Sequence, residues 1–184
     1  MKENPHSILL VGTAGWDRAD WAETYYPDDL PSDWRLAYYA NDCGCVLLDP
    51  TDLARLQPQE FLDRLDDAGE HLLVLLRLGG APLGAGWADC FTHLSGRLFL
   101  LAPPDASHEP VLPHWSLVDR GVWREPGGGR HIVCWDIDRF DLRQLKGRVS
   151  ELPDEVFALI IEGPGASPAH VGELRTLLTL MGRG

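Results

Sequence analysis

Six short apolar runs alternate along this chain with stretches of helical spacing, and no other property of the sequence narrows the fold as far. The runs are Ile8–Gly12, Cys45–Asp49, Leu72–Leu78, Arg97–Ala102, His131–Asp136 and Phe157–Glu162. They are β-rich or continuously apolar, the pattern of strands buried on both faces. Between and after them lie Ser32–Asp42, Pro58–Asp67, Ala85–Leu94, Pro110–Arg120, Arg139–Ser150 and Pro168–Met181, each with helical spacing. In the last of these Leu174, Leu177, Leu178 and Met181 form one apolar stripe, and Ser167 before Pro168 is a helix-start signature. Strand–helix alternation at this pitch implies a parallel sheet with right-handed crossovers. A closed eight-fold β–α barrel needs roughly 200 or more residues. A chain of 184 with about six units predicts a TIM-barrel-like α/β fold that is incomplete, or an open sheet wrapped by helices, as a single domain over residues 1–184.

The charge balance, 16 basic against 28 acidic residues, gives a formal charge of −12 and disfavours phosphate backbones as partners. No run of Lys or Arg offsets it, so nucleic acid is set aside. After Met1 the first apolar run is too short for a signal-peptide core or a membrane span, which gives the expectation of a cytoplasmic chain with no membrane contact. Cys43, Cys45, Cys90 and Cys134 follow no zinc spacing, and reduced thiols fit that compartment.

The order Gly12-Thr13-Ala14-Gly15-Trp16, then Trp21, Tyr26-Pro27, Leu30-Pro31, Trp34 and Tyr38-Tyr39-Ala40, resembles the opening of the YecE-like family, domain of unknown function 72. The resemblance implies a TIM-barrel-like fold whose activity is itself unsettled. Leu98 to Pro104 is similar to the family's strand ending in two prolines, and Phe157 to Leu180 to its C-terminal unit. Against that pattern Leu47 stands where a glutamate is usual, Leu101 where a glutamine is usual, and Asp52-Leu53 where an aromatic pair is usual. Arg77 keeps the charge of a strand-three lysine, whereas Val133-Cys134-Trp135-Asp136 retains none of the family's glutamate, arginine and histidine. By this resemblance the chain is a shortened, diverged member with about two units deleted before Phe157.

In parallel β–α folds ligands sit beyond the C-terminal ends of the strands. Trp16, Asp17, Asp49, Arg77, Asp105, Asp136, Asp138 and Glu162 fall there. Trp16, Asp17, Asp49 and Arg77 are the ligand-binding candidates; Arg77, Asp136 and Glu162 are the candidates for catalysis. Each of the last three closes an apolar strand, where a charge must pair or reach water. Asp49-Pro50-Thr51-Asp52 also reads as helix-start chemistry, with Asp138/Asp141 and Asp17/Asp20 at the same spacing. The glycines from Gly79 to Gly86 lack the Lys-Ser/Thr ending of a phosphate loop. No metal or cofactor is expected. The leading reading is a non-catalytic binding or protein-interaction member, with a small-molecule or protein partner of unknown identity. The competing one is a metal-assisted hydrolase or phosphodiester-type enzyme using Asp136, Glu162 and Asp49. An incomplete wall would leave sheet edges inviting a partner or a homo-oligomer.

Overall fold

The computed structural model describes residues 9–79, 84–103 and 113–183. Within them the strands are β1 (Leu10–Ala14), β2 (Cys45–Leu48), β3 (Leu73–Arg77), β4 (Leu98–Ala102), β5 (His114–Asp119), β6 (Val122–Arg124), β7 (His131–Asp136) and β8 (Val156–Glu162). The helices are α1 (Arg35–Asp42), α2 (Pro50–Leu53), α3 (Pro58–Ala68), α4 (Trp87–His93), α5 (Leu142–Ser150) and α6 (Val171–Leu180). The strands pair in sequence order and β8 pairs with β1, so the barrel is closed and leaves no edge. The expected gap, and with it the argument for edge-to-edge association, is removed.

The closing device lies where a helix was expected. The described part of Pro110–Arg120 is strand β5, turning at Arg120-Gly121 into β6, and both β5–β6 and β6–β7 are antiparallel. The sheet is therefore mixed, with parallel pairing through β7–β8–β1–β2–β3–β4–β5. Burial along β5 explains the difference: Trp115 is buried, Ser116 exposed, Leu117 partly buried and Val118 exposed, a period of two. A hairpin supplies two strands of wall in a dozen residues, where two β–α units would need several times more. Immediately before Phe157, α5 links β7 to β8 as an ordinary crossover. The Pro126–Gly129 stretch joins β6 to β7.

Alternation along the strands sorts the core into two. Inside the barrel pack Cys45, Leu47, Leu75, Leu101, Trp115, Trp123, Ile132, Cys134, Ala158 and Ile160. Outside, Val11, Val46, Leu48, Val74, Leu76, Leu100, Val133, Trp135, Leu159 and Ile161 meet the helices. A register shift at the start of β8 leaves Phe157 without a partner on β7, and its ring stacks on Trp115 at 5.7 Å. The axis is thus filled by side chains rather than forming a pore. Gly12 lets β1 approach β2, since a Cβ there would lie 1.8 Å from the Cys45 carbonyl oxygen. Ser167 caps as its sequence suggests, accepting the Ala169 N–H at 3.3 Å, with Pro168 opening a 3-10 turn that leads into α6. Among the described residues no helix is long and apolar enough to cross a membrane.

Candidate functional site

Parallel pairing from β7 round to β4 carries Arg77, Asp136 and Glu162 to one end of the barrel, as their strand-closing positions predict. They do not form one group. Arg77 reaches across β2 and β1 and donates to Glu162 at 2.7 Å, while its Nε lies 3.9 Å from Asp49. Arg77 and Glu162 are 29% and 24% exposed, so the pair is half-desolvated and shielded less by water than a surface pair. Burial works against the Arg77 cation, yet Glu162 and Asp49 outweigh it and hold its pKa above the ordinary value. Beneath them the axis ends in Leu47 and Leu101, each under 2% exposed, and Cys134. Burial, reinforced by Glu162, pushes the Cys134 thiol up to about 12.

Asp136 is the register partner of Glu162, but its carboxylate makes no ion pair with Arg77 or any other described residue. It faces a separate recess beside Asp138, Arg139, Asp141 and Arg148, and its carbonyl accepts from Arg148 at 3.1 Å. Asp141 is the cap of α5, accepting the Arg143 N–H at 2.8 Å. Asp105 and Gly80–Leu83 lie outside the described residues. Among those described, no three His, Cys, Asp or Glu side chains converge to hold a metal ion.

The open space at this end lies off the axis, in a cleft of about 650 Å³ beyond β1 and β2. The residues after β1, from Ala14 to Asp20, form one wall; Asp49, Asp52, Arg55, Leu56, Glu60 and Arg64 form the other. Trp16 lies beneath it, 5% exposed, with its ring 6.1 Å from Phe61 of α3. Asp17 is ion-paired to Arg35 of α1 rather than capping a turn, and Asp20 is paired to Arg18 at 2.7 Å. Asp49 does cap: it forms a capping box with Asp52, whose carboxylate accepts the Asp49 N–H at 2.8 Å. Burial raises the Asp49 carboxyl above its ordinary value; Arg77 opposes this, and Asp52 and Glu162 add to it.

The aromatic and hydroxyl residues near the start of the chain hold this wall in place. Tyr39, fully buried, accepts the Thr13 N–H at 2.9 Å and donates to the Cys45 carbonyl at 2.9 Å. Tyr26 donates to the Trp16 carbonyl, and Trp21 Nε1 donates to the Ala166 carbonyl at 3.1 Å. Sequence reasoning reached Trp16, Asp17 and Asp49 but missed Arg18, Arg55, Glu60 and Arg64 as cleft residues. Their spacing is that of any solvated loop and helix face, so it carries no signal of what they surround.

Residues 10–74 match the sequence profile of a family described as Protein of unknown function DUF72. The crystal structure of a DUF72 family protein from Thermotoga maritima has a similar fold, with a TM-score of 0.57 and 13% identity, covering 96% of this chain and 99% of that one. No curated protein matches the sequence.

Proposed function

We propose that this chain, which carries the DUF72 family's sequence signature over residues 10–74, is a non-catalytic binding protein that takes a small ligand in the cleft beyond β1 and β2. One observation carries the reading. Of the strand-end charges, Arg77 is spent on Glu162 at 2.7 Å and on Asp49 at 3.9 Å, above an axis closed by Leu47, Leu101 and Cys134, while Asp136 lines a separate recess. A guanidinium so engaged has to lose a short charge-assisted bond before it can steer an anion. A carboxylate so engaged is a poor general base. The cleft beside them is open, walled by polar groups and floored by an aromatic ring, the usual make-up of a recognition site.

The test compares retention with turnover. The purified chain is mixed with a metabolite extract, passed through a desalting column, and analysed by mass spectrometry and by amide NMR. The expected result is a retained small molecule that shifts the amides of Gly15, Asp17 and Arg55. Hydrolysis of phosphodiester or carboxylic ester substrates with added magnesium or manganese, abolished in a folded Glu162→Gln or Asp136→Ala variant, would overturn the reading in favour of a metal-assisted hydrolase.

A further inference from the structure

The cleft holds an uneven set of charges, and most of them are already matched. Five carboxylates (Asp17, Asp20, Asp49, Asp52 and Glu60) and three guanidinium groups (Arg18, Arg55 and Arg64) line it. Arg18 is held by Asp20 and by the Gly163 carbonyl, Arg64 by Glu60 and Asp33, and Asp17 by Arg35. What is left on a single short stretch of chain is the unpaired cation Arg55, the carboxylate of Asp52, and Asp49, whose one ion pair is the long contact with Arg77. Among the described residues Arg55 has no ion-pair or hydrogen-bond partner, although Asp52 stands three positions before it. Asp52 spends one oxygen on the Asp49 N–H, and Asp49 meets Arg77 only at 3.9 Å. A carboxylate has about four lone-pair sites, so both retain room for donors. A further donor without an acceptor lies beneath the cleft, the indole N–H of Trp16, whose side chain is 5% exposed.

Resting on the proposal that this cleft binds a ligand, we infer that the ligand is a small zwitterion, a free α-amino acid or a molecule ending in one. Its ammonium group meets Asp49 and Asp52, and its carboxylate meets Arg55. A lone anion would face Asp52 and an Asp49 paired only at 3.9 Å with Arg77, and a lone cation would leave Arg55 unmatched. A zwitterion answers both. It also adds positive charge beside a half-buried Asp49, which Asp52 and Glu162 crowd and which Arg77 meets only at 3.9 Å. The binding step is a charge-assisted recognition with no bond made or broken.

The test is an amide NMR titration of the whole chain with each of the common free amino acids. The best binder is then compared with its N-acetyl derivative and with the amine lacking its carboxylate. The expected result is saturable movement of the Gly15, Trp16 and Asp52 amides, with both analogues weaker by about tenfold or more. In Arg55→Gln, an exposed substitution that leaves the fold intact, affinity for the amino acid falls about tenfold while affinity for the amine is unchanged. Equal binding of the N-acetyl form, or no movement with any free amino acid, overturns the inference. Failure here differs from failure of the proposed function: a metabolite extract that moves the same amides when no amino acid does leaves the binding reading standing and removes the zwitterion alone.

Discussion

At Tyr39 one hydroxyl serves two strands, taking the Thr13 N–H of β1 and giving its proton to the Cys45 carbonyl of β2. No other described side chain bonds to either group in so closed a position. Tyr39→Phe therefore strands two buried backbone groups and is expected to lower stability by about 1–3 kcal/mol, read from urea denaturation. Arg77 and Glu162 pose a milder problem because each retains some solvent. Glu162→Gln is expected to cost about 1–2 kcal/mol, leaving a half-buried guanidinium facing only Asp49. The double change Arg77→Met with Glu162→Leu should recover much of that loss in the same denaturation measurement, since it removes both charges together. A double variant no more stable than Glu162→Gln would mean that the ion pair is not what the mouth depends on.

Among the elements, the hairpin depends on one glycine. Gly121 has φ 70°, and a Cβ there would lie 2.5 Å from the Cys134 carbonyl oxygen, which belongs to the neighbouring strand. Gly121→Ala is expected to destabilise by about 1–3 kcal/mol, and amide exchange should show the loss first in β5 and β6. The same hairpin marks where sequence reasoning stopped. Buried strands such as Leu72–Leu78 and Phe157–Glu162, and the helices Pro58–Asp67 and Arg139–Ser150, were legible because continuous apolar runs and helical stripes have few other uses. His114–Asp119 was not, because its alternation is short, follows Pro110 and Pro113, and mixes polar with apolar residues in both readings. In the site, Asp49 was legible as a cap and as a strand-end charge, and it is both. Asp136 was legible as a strand end, but that it lines a recess apart from Arg77 and makes no ion pair with it depends on packing that no local pattern encodes.

For the molecule as a whole, burial sets the response to alkali. Cys43 and Cys134 have thiols raised to about 12 by burial. A raised acid contributes stability that is complete below the unfolded value, about pH 9, and is lost as pH rises through the folded value near 12, because the unfolded chain sheds protons the folded chain retains. The urea midpoint should be flat up to about pH 9 and fall between there and about pH 12, with a shallower fall in Cys134→Ala. An equal slope in that variant would assign the loss to other groups. The closure of the barrel carries a further consequence, for the order in which the chain is made. Every pairing joins strands adjacent in sequence except that of β1 with β8, where Leu10 lies opposite Ala158. During synthesis β1 to β7 can assemble as each emerges, but two edges stay exposed until Glu162 has cleared the ribosome. A message cut short before β8 thus yields an unsealed sheet prone to pairing with its own kind, rather than a smaller working protein.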